Sequence, residues 1–336
     1  MVYPTCLLLI INNNYKGVIN MNLKKIGLSA LAASLVATSA FSAEFGVSGS
    51  AGITIENNSQ NSSGRAFSMP NSVYLSGSGE TDGGLTISAS FELDQGAGAN
   101  GGPFDNHSVS VGSDSFGTLT IHGHGGSSAQ SALDTTAAGD LWDNGFGINT
   151  STHTPKASAT ANNMLVYSLP SMVDGLAASV SFTPKASAAV ADTSTAFGLT
   201  YTGIEGLSVS YGYGDDNSTT GTDIDATTIK ASYAISSFTL GYSNTDYNSS
   251  AASKDMDIIS YNVAYSVSDS ISIGYGTETH ELEGSATDIE IAGINASYTA
   301  GGMTVSVAQI DADNIDHTTT AEKDRKYSKI GVSFAF

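Results

Sequence analysis

The acidic residues Asp134, Asp140 and Asp143 lie close together in residues 125–163, a stretch rich in Gly, Ser, Ala and Thr that also contains the only tryptophan. Several carboxylates in one segment attract cations and repel anions. A connection of about forty residues without a helical or strand pattern is far longer than connections in compact domains usually are. The sequence therefore singles out this stretch as a functional loop of acidic character.

Two further groups of residues have the types that bind metal ions. His122 and His124 share one face of an extended chain, because side chains alternate with period two. No third ligand is evident, so we favour a lumen-lining or hydrogen-bonded role over metal binding. Asp311 and Asp313 resemble the start of a calcium loop, yet the ligand and glycine expected further on are missing. We predict no cofactor, with a structural Ca²⁺ at the loops as the weaker alternative. The sequence has neither a nucleophile-elbow nor a zinc-helix motif, so we predict no enzyme.

The charge balance excludes one class of partner. The chain has 336 residues, of which 32 are acidic and 12 are basic. Three basic residues and the single cysteine lie in residues 1–43, where no acid occurs, so nine basic and 32 acidic residues remain and the formal net charge is −23. Nucleic-acid binding needs a basic surface. We therefore predict no nucleic-acid partner.

Residues 21–43 have the layout of a secretory signal peptide. From Met21, a two-lysine basic region is followed by an apolar run of about 12 residues and then by small residues. Such a run is too short to span a bilayer as a mature helix. We expect export through the Sec pathway and cleavage after Ser42 or Ala43, and we interpret residues 1–20 as an upstream extension from a misassigned start site.

The remainder of the chain, residues 44–336, alternates between apolar and small polar residues. One example is the segment 85–93, whose apolar face is formed by Leu85, Ile87, Ala89, Phe91 and Leu93. The opposite faces of such segments carry mostly Ser, Thr, Gly, Asn and Ala. This period-two pattern indicates β-strands with one apolar face. No run after residue 43 approaches the 18 apolar residues of a transmembrane helix.

Sixteen segments carry the alternation. They cover residues 44–55, 65–79, 85–94, 105–112, 118–124, 164–170, 176–183, 196–202, 207–215, 224–235, 238–247, 256–267, 271–281, 287–299, 303–311 and 325–336. Seven short connections alternate with eight longer ones, as expected for an even-numbered barrel with both termini in the periplasm. The pattern therefore predicts an all-β fold: one transmembrane antiparallel β-barrel of about 16 strands, formed by residues 44–336.

Two of these segments are irregular. Pro70 interrupts the segment 65–79, because proline cannot donate to a strand ladder. In the segment 287–299, Ile289 and Ile291 are out of phase with Ile294 and Tyr298, which predicts a bulge or a wrong register.

The alternation also assigns charged side chains to the inside of the barrel. A sixteen-stranded barrel is too wide for side chains to fill, so its lumen holds water. The candidate constriction residues are Asp134, Asp140, Asp143, Lys230, Arg325, Lys329, Glu92, His122 and His124. With a net charge of −23, they predict a weak preference for cations. The alternative is that most acids lie on outer loops, solvated or bridged by divalent ions.

The last strand ends on an aromatic residue. Phe334 and Phe336 lie on its apolar face, and such a residue marks the membrane–water boundary in barrel strands. We interpret these two side chains as a membrane insertion signal. Arg325 and Lys329 lie on the other face, so the hypothesis is that this strand both closes the barrel and opposes the acidic loop.

Several short segments resemble one known family. They are Glu44-Phe-Gly-Val-Ser-Gly, Gly84-Leu-Thr-Ile-Ser-Ala-Ser-Phe-Glu-Leu-Asp, Asp105-Asn-His-Ser-Val, Ser115-Phe-Gly-Thr-Leu-Thr-Ile, Val166-Tyr-Ser-Leu-Pro-Ser and the terminal Phe336. With them the chain resembles the alphaproteobacterial general porins. The resemblance implies a homotrimeric outer-membrane channel, embedded in lipid and lipopolysaccharide, whose long third extracellular loop folds into the lumen. It also implies a charged constriction and passive diffusion of small hydrophilic solutes. The chain departs from the family in having only two arginines to oppose the acidic loop, Arg65 and Arg325.

Two other functions stay open at this point. The first is a substrate-selective porin for sugars or anions. The second is a secreted β-rich adhesin or surface-layer protein, for which neither the alternation of connection lengths nor the terminal aromatic is expected. Conductance in planar bilayers separates these alternatives.

Overall fold

A computed structural model of the protein describes residues 44–59, 66–94, 104–143, 162–185, 192–219, 222–250, 255–321 and 324–336. The predicted extension 1–20 and signal peptide 21–43 lie outside these residues, as does Arg65. Residues 44–336 form one compact unit. Among the described residues, no helix is long and apolar enough to cross a membrane.

Seventeen strand segments follow one another along the chain. They are β1 (Glu44–Asn58), β2 (Ala66–Ser68), β3 (Asn71–Glu80), β4 (Thr86–Asp94), β5 (His107–Ser113), β6 (Gly117–His124), β7 (Met164–Ser168), β8 (Leu176–Thr183), β9 (Ser194–Ile204), β10 (Leu207–Thr219), β11 (Thr222–Ile235), β12 (Phe238–Ser249), β13 (Met256–Ser268), β14 (Ile271–Leu282), β15 (Ile289–Ala300), β16 (Met303–Asp313) and β17 (Arg325–Ala335). A short 3₁₀ turn, Ile315–His317, precedes β17.

These segments form a closed antiparallel barrel of sixteen strands. β2 and β3 both pair with β1 and are two pieces of one strand, interrupted at Met69 and Pro70 as the sequence predicts. Each later strand pairs with the next, and β17 pairs back onto β1. Closure leaves no free edge, so the sheet satisfies the backbone N–H and C=O groups of its strands without water. The predicted all-β barrel is confirmed.

The side chains alternate across the wall as expected. On β14, Ile271, Ile273 and Tyr275 are between 39% and 49% exposed on the outer face, whereas Glu278 and His280 are buried on the inner face. One predicted boundary is wrong: the longer connection predicted at 216–223 is mostly strand, because β10 and β11 reach Thr219 and Thr222. The other predicted strands agree with the structure to within a few residues.

β15 contains no bulge, and the prediction of one there is wrong. Its pairing with β14 and with β16 continues without a register shift. Ile289 and Ile291 face inward and are 0% and 2% exposed, whereas Ile294 and Tyr298 face outward. The strand thus has apolar residues on both faces. Those on the inner face are accounted for by the third loop, since the two inner isoleucines pack against Leu141.

The chain terminus completes the barrel. The backbone N–H of Gly49 donates to the Phe336 carbonyl at 2.7 Å, and the Phe336 N–H donates to the Gly49 carbonyl at 2.9 Å. A Cβ on Gly49 would lie 2.8 Å from the Phe336 ring, so this close approach requires glycine. Phe334 and Phe336 both remain exposed on the outer face, at 48% and 70%.

Candidate functional site

The third loop connects β6 to β7, and its residues 128–142, here called the inner segment, lie against the polar inner face of the wall. Four wall hydroxyls bind it. They are Ser181 with the Ala129 N–H at 3.0 Å, Thr228 with the Gln130 side-chain amide at 2.8 Å, Ser243 with the Ala137 N–H at 2.8 Å, and Ser260 with the Ala138 N–H at 3.0 Å. Because loop backbone groups lack strand partners, these hydroxyls supply the hydrogen bonds that burial demands.

Inward-facing glycines give the inner segment room to approach the wall. A Cβ on Gly198 would overlap the Ala129 carbonyl oxygen, and a Cβ on Gly276 would lie 2.5 Å from the Ala138 Cβ. A Cβ on Gly293 would lie 2.9 Å from a Leu141 methyl carbon. Because real Cβ atoms do not approach this closely, the segment can lie at this distance from Gly198 and Gly276 only because they are glycines. At Gly293 the opposing atom is the end of a flexible side chain, which can shift.

Glu278 on β14 is the strongest anchor of the inner segment. Its Oε1 accepts hydrogen bonds from the Thr136 hydroxyl at 2.5 Å and from the Leu141 N–H at 2.7 Å, and its Oε2 accepts one from the Trp142 N–H at 3.1 Å. The Glu278 side chain is 1% exposed. Hydrogen bonds to a charged acceptor are the strong ones, so this carboxylate fixes the far end of the segment.

An apolar cluster holds the same end. Leu141 packs with inward-facing residues of β15–β17 and with Ile315, while Ala138 and Trp142 lie against its edge; the buried members are Leu141, Ile289, Ile291, Ile310, Ala312, Ile315 and Tyr327. Burial of such side chains stabilises by about 1.5–3 kcal/mol each. The position of the segment is therefore set by both polar and apolar contacts.

Three predicted residues meet at the middle of the inner segment. Lys230 on β11 donates from Nζ to the Thr135 carbonyl at 2.6 Å, close to Asp134 and Asp140. Asp140 accepts a hydrogen bond from the Thr136 N–H at 2.8 Å, and the Asp140 N–H donates to the Thr136 hydroxyl at 2.7 Å. Neither carboxylate has an ion-pair partner within 4.0 Å in the described part of the chain.

Burial changes the acidity of these carboxyl groups. Burial, followed by the charge of Asp140, raises the pKa of Asp134 to about 7, although Lys230 acts in the opposite direction. Burial also raises the pKa of Asp140, and the nearby Glu278 adds to this, whereas the hydrogen bonds from Thr136 and the charge of Lys230 lower it. Desolvation disfavours the charged form of a carboxyl group. The site therefore holds an acid whose ionisation changes near neutral pH.

A cavity of about 180 Å³ lies beside these acids. It is lined by Asp134, Thr136, Asp140, Trp142, Thr245, Tyr247 and Ile258, so the inner segment forms one side and strands β12 and β13 form the other. Asp143 is exposed and does not line it; its N–H donates to the Asp140 carbonyl at 3.0 Å.

The two predicted cations of the closing strand lie elsewhere. Arg325 is 7% exposed at the start of β17, where Nη1 donates to the Asp324 carbonyl at 3.0 Å. Lys329 lies on the inner face directly opposite Glu56 of β1. Neither lines the cavity beside Asp134.

Glu92, His122 and His124 come together in a second cavity of about 180 Å³. The Glu92 carboxylate accepts hydrogen bonds from the Tyr74 hydroxyl at 2.7 Å and from the Asn106 amide at 2.5 Å. Within the described ranges, no three His, Cys, Asp or Glu side chains are arranged to hold a metal ion.

The weak calcium candidates lie on the outer face. Asp311 forms an exposed ion pair with Lys326 at 3.3 Å, and Asp313 lies opposite Glu290 at the end of β16. The presence of Ca²⁺ there stays a prediction.

Sequence reasoning missed Glu278 and His280. His280 is 0% exposed, its Nε2 lies 3.7 Å from Glu278 Oε2, and its ring packs edge-on to Trp142 at 6.3 Å. The alternation of β14 already places both residues inside, opposite to Ile271, Ile273 and Tyr275, so the signal was present in the pattern.

Comparison with known proteins finds matches of sequence family and of fold. A family model described as "Gram-negative porin" matches residues 27–318. Comparison with curated proteins finds no match. Among solved structures, the chain is similar to an anion-selective porin from Comamonas acidovorans, with TM-score 0.62, 15% identity, and coverage of 88% of this chain and 100% of that chain.

Two further structures have the same fold. OmpT, an outer membrane protein of Vibrio cholerae solved without its loop L8, matches with TM-score 0.66 and 16% identity over 88% of this chain and 99% of that chain. A triple mutant of the Rhodopseudomonas blastica porin matches with TM-score 0.64 and 14% identity over 87% of this chain and 100% of that chain.

Proposed function

Because this chain belongs to the Gram-negative porin family, we propose that it forms a water-filled channel of the outer membrane through which small hydrophilic solutes and ions diffuse passively, with a weak preference for cations. Family and fold are those of non-enzymatic channels. The inner segment, held against one side of the wall, forms the constriction of this channel.

The cation preference rests on one observation: Asp134 and Asp140 have no ion-pair partner in the described part of the chain, while their nearest cation, Lys230, donates to a backbone carbonyl. Ion selectivity in a pore follows the charges that line its narrowest part. With both acids ionised, two negative charges stand against one positive charge. We therefore expect potassium to pass more readily than chloride.

The alternatives are a channel selective for anions or for sugars. The Comamonas acidovorans porin, which has the same fold, is described as anion-selective, but at 15% identity the similarity supports only a shared fold. No basic cluster faces the inner segment among the described residues, where Lys230 is the cation nearest to it. This charge balance supports cation preference over anion selectivity.

The family supports a homotrimer surrounded by outer-membrane lipid and lipopolysaccharide. On the first strand, Ala51 is a small outward residue that permits close contact between subunits, whereas Gly49 is covered by the Phe336 ring. Light scattering of the purified protein in detergent should give the mass of three chains. A monomer mass would contradict the trimer while leaving the channel untouched.

Planar-bilayer recording of the purified protein tests the proposed function. We expect discrete conductance steps that grow in proportion to KCl concentration, as in a water-filled pore. Under a KCl gradient, the reversal potential should have the same sign as the equilibrium potential of potassium. Absence of any conductance steps, from protein whose folded state is confirmed by its heat-dependent mobility on SDS gels, would contradict the channel function.

A further inference from the structure

The cavity beside Asp134 and Asp140 combines negative charge with aromatic and apolar surface. Its two acids stand on the inner segment, as does Trp142, whereas Tyr247 of β12 and Ile258 of β13 lie on the wall. A simple polar funnel for hydrated ions has no need of an indole, a phenol and a branched aliphatic chain at the same place. The combination instead fits a ligand that has both a charge and an apolar part.

The acids leave this cavity with unbalanced charge. Lys230 donates to the Thr135 carbonyl and offsets one of the two negative charges, and Glu278 accepts its hydrogen bonds from the inner segment. Asp134 and Asp140 have no ion-pair partner among the described residues. Unpaired carboxylates in a partly buried place favour the arrival of a cation.

A second, independent observation points to a ligand. Tyr247 is 8% exposed and lines the cavity, yet in the described part of the chain its hydroxyl has no hydrogen-bond partner. The hydroxyl oxygen is not one of the fully buried polar atoms that lack a partner, so it faces the open space of the cavity. The Tyr247 hydroxyl is therefore a free donor and acceptor at the surface of the cavity, beside two carboxylates.

The nature of the cation follows from the rest of the lining. Hard metal ions such as Ca²⁺ take six to eight oxygen ligands, and the described residues hold no group of three acids or histidines arranged for a metal. Aromatic faces attract organic cations, and Ile258 offers apolar contact to an alkyl chain. At about 180 Å³, the cavity is smaller than the pockets of about 300–1,000 Å³ that hold drug-sized ligands, so the ligand has few heavy atoms.

We infer that this cavity is a binding subsite for small organic ammonium ions, with a primary alkylammonium as the ligand that it fits best. The ammonium group lies between Asp134 and Asp140 and donates to the Tyr247 hydroxyl, and the alkyl chain lies against Ile258 and Trp142. The inference rests on the proposed channel function and adds to it a class of solute that pauses on its way through.

Single-channel recording with n-butylammonium tests this inference. In wild-type channels carrying KCl current at pH 8, where Asp134 is ionised, millimolar n-butylammonium should cause concentration-dependent transient blocks, whereas butyrate, of similar size and opposite charge, should cause none. Tyr247→Phe removes only the hydroxyl and should weaken the block roughly 2- to 10-fold. Asp134→Asn should weaken it roughly 10-fold or more, because a charged partner is lost.

Two matched variants serve as controls. Tyr233→Phe removes a hydroxyl from the outer face, and Asp82→Asn removes a carboxylate from the exposed β3–β4 turn; both should leave the block unchanged. Channels that conduct potassium but are not blocked by n-butylammonium would overturn the inference and leave the channel function standing. The inference would also be overturned if n-butylammonium blocks both Tyr247→Phe and Asp134→Asn as strongly as it blocks the wild type.

Calorimetric titration of the detergent-solubilised protein with n-butylammonium tests the subsite independently of the channel function. Binding that Tyr247→Phe weakens, in protein that forms no channels, would support the subsite and contradict the channel. Absence of measurable binding at millimolar n-butylammonium would overturn the subsite whatever the conductance shows.

Discussion

The carboxylate of Glu278 on β14 accepts a hydrogen bond from the backbone N–H of Leu141 at 2.7 Å. This bond joins the barrel wall to the end of the inner segment at a point where both residues are buried. The same carboxylate also binds Thr136 and Trp142. One wall side chain thus binds the segment at residues on both sides of Asp140.

Replacing Glu278 tests this anchoring. Glu278→Gln keeps the shape of the side chain but exchanges one acceptor oxygen for an N–H₂ donor, which cannot accept from the segment. Loss of a buried charge-assisted hydrogen bond costs about 1–3 kcal/mol. We expect a lower temperature for heat-dependent mobility on SDS gels and noisier single-channel current. Glu281→Gln, on the exposed outer side of the same strand, is the control, and equal behaviour of the two variants would argue against the anchor.

Gly276 allows the inner segment to approach the wall. In Gly276→Ala the added Cβ would lie 2.5 Å from the Cβ of Ala138, so the segment must move toward the centre of the lumen. We expect lower single-channel conductance with the barrel still folded. The matched control is Gly77→Ala, where the nearest atom to the new Cβ is 4.0 Å away. Unchanged conductance in Gly276→Ala would show that the segment does not limit the flow of ions.

The raised pKa of Asp134, about 7, makes cation preference depend on pH. Asp134 is neutral well below pH 7 and charged well above it, so the permeability ratio of potassium to chloride should rise between pH 6 and pH 8. The charged and titratable groups around it are Asp140 on the same segment, Lys230 on β11 and Tyr247 on β12. Reversal potentials measured across this range check the effect, and Asp134→Asn should flatten the curve. A ratio that does not change with pH in the wild type would contradict it.

The two cations of the closing strand should behave differently. Lys329 faces the lumen opposite Glu56, so Lys329→Gln removes a positive charge from the pore and should raise the potassium-to-chloride permeability ratio. Arg325 lies beside Asp324 at the start of β17, so Arg325→Gln should leave this ratio unchanged. Reversal potentials under a KCl gradient measure both. If Lys329→Gln and the double variant with Arg325→Gln both leave the ratio and the conductance unchanged, the closing strand has no role in the pore.

Period-two alternation was enough to predict the barrel, because each strand must present an apolar face to lipid and a polar face to water. It failed where the inner face is itself apolar. Ile289 and Ile291 point inward against Leu141, and such a contact between strand and loop leaves no mark on the local pattern. The alternation does place Glu278 on the inner face, as it does Lys230. Its role as an anchor could not be predicted, because that role depends on where a loop from another part of the chain comes to lie.

The reversal potential at pH 8 under a KCl gradient tests the account most directly, with the wild type compared to the double variant Asp134→Asn and Asp140→Asn. We predict a wild-type potential with the sign of potassium selectivity, a clear shift toward zero or toward the chloride sign in the double variant, and no shift in Asp82→Asn. A wild-type potential with the chloride sign, or a double variant indistinguishable from wild type, would contradict the claim that these two acids determine which ions pass.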